Sequence, residues 1–292
     1  MKRITLVAGI CVASIAATAQ TDTIYNEKNN DTMRVGNILI IKKGKKEKSE
    51  HDTTITMAMT GTTKRQSRIS TNWWVVDLGF SNYDDQTNYA GTGSYLINKP
   101  GSPAFSESDF KLRSGKSINV NIWLFMQRLS LIKRNVNLKY GLGVELNNYR
   151  YKSTISYKEG GIIPYSGGLQ TNAPFIFRDS ISFSKNKLAA DYLTVPLMLN
   201  FATNSASSKK GLSLSVGVSA GYLYSQRNKQ VSDERGKQRN KGEYDLERFK
   251  LSYIGELGLG PVRLYGSYSP KSMYEHSLDI RPYNIGFRIS NW

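Results

Sequence analysis

Residues 136–147 read VNLKYGLGVELN, and this stretch decides the fold class. Apolar residues alternate through it with polar or small ones, as in the run Val136, Asn137, Leu138 and Lys139. A period of two places successive side chains on opposite faces, which is the pattern of a β-strand with one apolar face. The stretch therefore predicts a long strand and not a helix.

The same alternation recurs along the rest of the chain after Trp73. The predicted strands cover residues 72–82, 116–127, 135–151, 188–201, 211–225, 248–259, 262–269 and 281–290. Pro196 interrupts the fourth strand, because proline cannot donate a hydrogen bond to the ladder, and we expect a bulge there.

The connections between these strands alternate in length. Long or medium connections cover residues 83–115, 152–187, 226–247 and 270–280, and short ones cover 128–134, 202–210 and 260–261. Outer-membrane barrels have short periplasmic turns and long outer loops. The pattern predicts an all-β fold, an eight-stranded antiparallel up-and-down transmembrane β-barrel over residues 72–292. A soluble periplasmic ligand-binding barrel is the alternative.

The N-terminus has the features of an export signal. Lys2 and Arg3 precede an apolar stretch that is too short to span a membrane, and Ala17-Thr18-Ala19 forms a small-x-small cleavage site. We expect residues 1–19 to be a cleaved signal peptide, with a retained N-terminal anchor as the alternative. Cys11 lies inside this stretch, so the mature chain would contain no cysteine and no disulfide.

Residues 20–71 differ from the barrel and form a basic periplasmic segment in this interpretation. The apolar run 35–41 and the β-prone run 53–59 flank a lysine-rich turn and can pair as a small hairpin. A disordered polar tail is the alternative. His51 has no nearby ligand partner, so we expect no metal site there.

The formal net charge of +17 limits the class of partner. Nucleic acid is not expected, because the chain carries an export signal and its basic residues fall largely in tails and turns. Acidic groups outside the cytoplasm fit better, and we expect contact with outer-membrane lipids and with the phosphates of lipopolysaccharide.

If the apolar strand faces meet lipid, the opposite faces line the lumen. The expected lumenal polar network consists of Asp77, Lys139, Glu145, Lys250, Glu256, Arg263 and Arg288. An eight-stranded barrel is only wide enough for side chains to fill, so these charges should be paired. The network is then either a solid polar core or a gated ion path.

Aromatic residues near the strand ends predict interfacial girdles, where amphipathic rings sit at headgroup level. The expected interfacial residues are Trp73, Trp74, Tyr149, Tyr151, Tyr222 and Tyr224.

Patterns typical of catalysis are lacking. Glu275, His276 and Ser277 are adjacent in sequence, and an extended segment would point them to opposite faces. Acid pairs such as Asp84-Asp85 lack the oxygen spacing of a calcium loop. We therefore expect no enzyme, no cofactor and no metal.

Several stretches resemble the PorT-like outer-membrane β-barrel proteins of Bacteroidetes. They are DTMRVGNILIIKK (31–43), WVVDLGF (74–80), YLTVPL (192–197) and YNIGFRI (283–289). The resemblance implies an outer-membrane barrel and, by its namesake, a link to protein secretion, with no catalytic residues to carry over. The terminal strands of such barrels generally end with alternating aromatic residues. Trp292 departs from this pattern, because alternation places it on the polar face of the last strand. The function expected is a non-enzymatic envelope interaction or secretion-accessory protein. An enzyme that acts on envelope lipids at the barrel rim is the alternative.

Overall fold

The computed structural model describes residues 31–35, 38–42, 55–59, 68–132, 135–203, 211–260 and 262–290. The chain divides into two compact units, Met1–Gln66 and Ser67–Trp292. The expected signal peptide, Cys11, His51 and Trp292 lie outside the described residues. The part of the chain that is described contains no helix long and apolar enough to cross a membrane.

The first unit contains a small antiparallel sheet. Its strands are β1 (Asp31–Val35), β2 (Ile38–Lys42) and β3 (Ile55–Met59), in the order β1-β2-β3. β2 and β3 pair from Ile38 opposite Met59 to Lys42 opposite Ile55, which is the hairpin expected across the lysine-rich turn. β1 was not expected, because Met33 and Val35 are its only apolar residues and give too short a pattern.

The second unit contains the long strands of the predicted barrel and several short ones. In chain order they are β4 (Ile69–Asp85), β5 (Leu96–Ile97), β6 (Ile118–Ile132), β7 (Val136–Arg150), β8 (Ile155–Lys158), β9 (Gly161–Ile162), β10 (Gln170–Thr171), β11 (Phe175–Arg178), β12 (Lys185–Ala202), β13 (Leu212–Ser232), β14 (Gly236–Lys241), β15 (Phe249–Leu259), β16 (Val262–Tyr268) and β17 (Ile280–Ile289). The single α-helical turn among the described residues is α1 (Glu107–Phe110).

Eight of these strands form a ring. The order β12-β7-β6-β4-β17-β16-β15-β13 is antiparallel throughout, and β12 also pairs with β13 from Lys185 opposite Val231 to Ala202 opposite Ser213. The all-β antiparallel prediction is therefore confirmed, and the eight ring strands overlap the eight predicted ones. Long connections leave one end of the ring, here called the long-loop end, and short connections leave the other, the short-turn end.

The prediction of a bulge at Pro196 is wrong. The pairing of β12 with β7 stops at Thr194 and resumes at Leu197 without a shift of register, so the proline sits in a gap of the ladder. On its other side Pro196 stays in register with Ser219 of β13. The shift of register in β12 lies between Asp191 and Tyr192, opposite β13.

Side chains alternate between the two faces of the ring. In β7, Asn137, Lys139, Glu145 and Asn147 are buried inside, while the intervening residues are only partly covered. Large apolar side chains are exposed on the outer face, among them Leu193, Val195, Leu197, Leu199 and Phe201 of β12. The protein therefore carries its polar side chains inside and an apolar belt outside.

The connections at the long-loop end fold into a cap. β5, β8 and β11 form a three-stranded sheet in which β11 is parallel to β5 and antiparallel to β8. Its core joins buried aromatic residues from several loops and strand ends, among them Tyr95, Phe110, Tyr151, Tyr157, Tyr244 and Tyr274. The hydroxyl of Tyr157 lies 2.7 Å from that of Tyr151 and 2.8 Å from that of Tyr274. The cap is thus a packed structure with its own hydrogen-bonded centre.

Glycine is required where β4 and β17 approach each other. Gly79 and Gly286 are directly opposite, and a Cβ on Gly286 would lie 2.3 Å from the carbonyl oxygen of Leu78. We expect Gly286→Ala to lower the free energy of unfolding by about 1–3 kcal/mol, because the backbones must move apart. Urea unfolding in lipid vesicles, followed by the gel-mobility shift of the folded form, measures this loss.

Gly266→Ala on β16 is the matched control. A Cβ there would lie 3.7 Å from its nearest neighbour, the carbonyl oxygen of Asn284. Equal effects of the two substitutions would contradict the steric explanation.

Candidate functional site: the charged lumen and the capped rim

The lumen contains a buried ion cluster centred on Arg288 of β17. Its guanidinium donates Nε to Asp77 Oδ1 at 2.7 Å and Nη2 to Asp77 Oδ2 at 2.8 Å, a bidentate pair. Asp77 is fully buried on β4, next to β17 in the ring. Because both groups are removed from water, each depends on the other for compensation.

Glu256 of β15 joins this cluster to two more cations. It accepts hydrogen bonds from Lys139 Nζ at 2.7 Å and from Arg263 Nη1 at 2.8 Å, and a third from Arg288 Nη1. Asp77 and Glu256 therefore face Lys139, Arg263 and Arg288 from strands on different sides of the ring. The cluster ties the barrel wall together across its interior.

Glu145 and Lys250 form a second ion pair nearer the long-loop end. Asn147 and Asn284 also donate to Glu145 Oε1, at 3.0 and 3.3 Å. All seven residues that the sequence placed in the lumen lie there, in two clusters of paired charges.

Several lumenal contacts were not anticipated from the sequence. Trp123 donates its indole N–H to Asp77 at 2.8 Å, and Tyr265 donates its hydroxyl to Asn119. Strand alternation predicts that both side chains point inward, but it predicts no polar partner for an aromatic residue. Gly79 is the sequence signal for the position of Tyr265, since a Cβ on Gly79 would lie 2.5 Å from the Tyr265 hydroxyl.

Two small cavities lie among these side chains. A cavity of about 20 Å³ adjoins Asp77, Glu145 and Arg288, and one of about 10 Å³ adjoins Lys139 and Glu256. Each volume suits about one water molecule. The arrangement fits a solid polar core.

The expected interfacial aromatics divide into two groups. Trp73 and Trp74 are exposed near the short-turn end, and Tyr222 and Tyr224 are exposed near the long-loop end, at the two edges of the apolar belt. Both tryptophans face outward because Trp74 has a positive φ of 57°, which breaks the alternation.

The prediction that Tyr149 and Tyr151 are interfacial is wrong. They are 1% and 2% exposed and belong to the aromatic core of the cap. Tyr149 lies on the inward parity of β7, Tyr151 follows the end of that strand, and the long loops fold over both. Strand-end position alone did not separate a girdle residue from a cap residue.

Among the described residues, the rim carries one cluster of ligand-type side chains. Asp245, Glu275 and His276 each offer an atom within 4.8 Å of the others, the group type that can hold a metal ion. Asp245 Oδ1 lies 3.0 Å from His276 Nδ1 and raises the pKa of that imidazole above its ordinary value. Asp245 also accepts from the backbone N–H of Ser277 at 3.1 Å. The cluster is largely open to solvent, and Ser277 contributes its backbone N–H to it.

The cap exposes apolar side chains at one place beyond the apolar belt. The hairpin of β9 and β10 carries Ile162, Tyr165 and Leu169, which are 64%, 44% and 66% exposed. Its turn is held by the hydrogen bond from the Ile163 N–H to the Leu169 carbonyl at 2.8 Å.

An antiparallel ring with a charged interior, an apolar exterior and aromatic edges is the construction of a barrel for an outer membrane. A family model described as an outer membrane protein beta-barrel domain matches residues 66–270. The chain therefore belongs to this family. Among solved structures, it is similar to Ail, the attachment invasion locus protein of Yersinia pestis, in complex with the heparin analogue sucrose octasulfate. The two are 10% identical with a TM-score of 0.28, and the match covers 75% of this chain and 98% of Ail. No curated protein matches the chain.

The buried cluster gives a prediction about stability. Arg288→Met leaves Asp77 and Glu256 with one cation fewer in a dry interior, and we expect a loss of about 3–5 kcal/mol in the free energy of unfolding. Arg281→Met is the control, because its ion pair with Asp279 is near the surface and such pairs contribute about 0–1 kcal/mol. Urea unfolding in vesicles compares them, and similar losses would contradict this account.

The rim gives a prediction about pH. The pKa of His276 is raised, so its ion pair with Asp245 is complete below the ordinary imidazole pKa and is lost as the pH rises through the raised value. Carbon-13 NMR of labelled histidine measures this pKa directly, since the sequence contains only two histidines. Asp245→Asn should return the value toward normal, and His51→Gln assigns the signals. An unchanged pKa in Asp245→Asn would refute the pairing.

Proposed function

We propose that the protein is a non-enzymatic outer-membrane barrel that holds a folded cap at the cell surface and binds a protein partner there. The observation that carries this proposal is the exposed apolar tip formed by Ile162, Tyr165 and Leu169. Large apolar side chains grouped away from the lipid belt are typical of interaction sites. A protein surface is the kind of partner that can bury these three large apolar side chains.

The contacts within the cap support a role in presenting the apolar tip to a partner. Arg178 of β11 binds both carboxylate oxygens of Asp109, at 2.7 and 2.8 Å, and donates to the carbonyls of Pro103 and Ala104. Asp109 in turn caps α1 by accepting from the backbone N–H of Ser106. These contacts fix one long loop against another, so the tip is presented on a rigid support.

The filled lumen supports a role without conduction. Paired charges occupy the barrel interior, and the aromatic core of the cap covers its outer end. We propose that this interior stabilises the barrel and does not pass ions. In planar bilayers we expect no stepwise conductance from the purified protein, with a general porin as the positive control. Reproducible channel openings would overturn this part of the proposal.

The narrower assignments are also proposals. They are a cleaved signal peptide at residues 1–19, a basic periplasmic segment at 20–71 and membership of the PorT-like proteins. An even number of ring strands leaves both ends of the barrel on one side, which suits a periplasmic segment ahead of it. A partner in a secretion system is the specific form of the interaction that this resemblance supports.

Site-specific photo-crosslinking in intact cells tests the cap as an interaction surface. A photoreactive amino acid replaces Ile162 or Leu169 at the tip, or Leu197 in the lipid belt as the matched control. We expect a discrete protein adduct from the tip positions and none from Leu197. The adduct should weaken by about tenfold when Tyr165→Ser is combined with the tip probe, since aromatic anchors dominate such contacts.

The enzyme alternative is tested in the same cells. Loss of an envelope-lipid modification in His276→Ala, with no adduct from the cap tip, would replace the proposed function with a rim enzyme. Retention of every lipid species in His276→Ala, together with a tip adduct, supports the binding role.

A further inference from the structure

The outer ends of β7, β12, β13 and β14 extend beyond the apolar belt and carry a row of cations. Paired residues across antiparallel strands share one face, and the pairings place one cation from each strand directly opposite the next. The row consists of Arg150, Lys187, Lys229 and Arg239.

Further cations lie on the same face of these strands. Arg227 is opposite Lys241 on the membrane side of the row, and Lys237 is opposite Val231 on its far side. Arg227 is paired with Asp191. The ion pairs of the described residues include none for Lys187, Lys229 or Arg239. We call this surface the basic ladder.

The basic ladder faces away from the cap. Asn186, Asn228 and Gln230 alternate with its residues and point inward, where Gln230 donates to the Ser156 hydroxyl of β8 at 2.7 Å. The ladder therefore continues the outer surface of the barrel, the same side that carries the apolar belt below it.

Like charges directly opposite each other oppose pairing of the strands. The pKa of Lys229 is lowered first by Lys237, and Lys185 and Arg239 lower it further. Burial and the neighbouring Lys185 lower the pKa of Lys187 to about 8. The ladder is thus a concentrated positive field, and an anion on it would relieve the repulsion.

The position of the ladder selects the kind of anion. Tyr224 is the last exposed aromatic residue of β13, and Arg227 and Lys229 follow it at about 10 and 16 Å along the strand, at about 3.3 Å per residue. Aromatic girdles sit at headgroup level, so the ladder lies at and just beyond the headgroups of the surrounding leaflet, where lipid phosphates are available.

A cleft meets the ladder at Lys241. It opens where β13 continues past its last pair with β15, Tyr222 opposite Phe249, and it measures about 540 Å³. Tyr222, Tyr224 and Lys241 line it, together with Arg248, whose guanidinium donates to the lining carboxylate of Glu243 at 3.0 Å. Aromatic rings beside cations suit a sugar that carries a phosphate.

We propose that the basic ladder and this cleft bind a phosphorylated glycolipid of the outer leaflet. Its phosphates contact Lys187, Lys229 and Arg239, and its sugar lies against Tyr222 and Tyr224. This proposal rests on the outer-membrane placement in the proposed function, but it does not depend on the cap tip or on its partner.

Lipid counting by native mass spectrometry tests the proposal with the full chain in detergent micelles. The probes are a bis-phosphorylated lipid A, the same lipid without phosphates, and dextran sulfate as a soluble polyanion. For the triple variant Lys187→Gln, Lys229→Gln and Arg239→Gln we expect about a hundredfold weaker binding of the bis-phosphorylated lipid. The phosphate-free lipid should bind the unsubstituted protein about as weakly as the bis-phosphorylated lipid binds the triple variant.

The control variant removes three cations from the exposed surface of the cap. Lys111→Gln, Lys152→Gln and Lys158→Gln together should leave lipid binding unchanged. The gel-mobility shift verifies that both triple variants fold, and Lys187→Arg with Lys229→Arg should keep the binding.

Equal affinity of the ladder variant and the unsubstituted protein would overturn the proposal. Binding of dextran sulfate as tight as that of lipid A would also overturn it, because the ladder would then be a site for soluble polyanions. Either result leaves the crosslinking test of the cap tip unaffected, so the two proposals can fail separately.

Discussion

The requirement that backbone polar groups be satisfied within the chain governs the rest of this structure. Lipid offers no hydrogen-bond partners, so a sheet that crosses it must have no free edge. Here the pairing of β12 with β13 closes the ring, with residues 185–202 in almost continuous register. Closure then fixes the two faces of every strand, and with them the apolar belt and the enclosed charges.

Closure with eight strands leaves an interior that side chains can fill and that is too narrow for an aqueous channel. Arginine is suited to this interior, because Arg288 can bind Asp77 with two parallel hydrogen bonds and still reach Glu256. Glycine at position 79 makes room for the Tyr265 hydroxyl, and glycine at position 286 lets β17 approach the backbone of β4. The packing of the interior therefore depends on strand pairing, small residues and ion pairs together.

The eight ring strands and the inward charges could be predicted because both follow from a local period of two. Parity alone predicts that Asp77, Glu145 and Arg288 point inward, and all three are buried in the structure. The cap could not be predicted, because its contacts join residues far apart, such as Tyr95 with the carbonyl of Tyr244. Tyr149 and Tyr151 were misplaced for the same reason: a strand-end tyrosine is identical in sequence whether lipid or a folded loop covers it.

β14 has a further consequence for how the protein behaves in a crowded membrane. It is the outermost strand of the nine-stranded sheet and pairs with β13 alone among the described strands. A free strand edge is a template for aggregation, and lysines on such an edge prevent other strands from adding to it. Lys237, Arg239 and Lys241 are spaced along this strand, so its edge carries the charges that protect a strand from pairing with another chain.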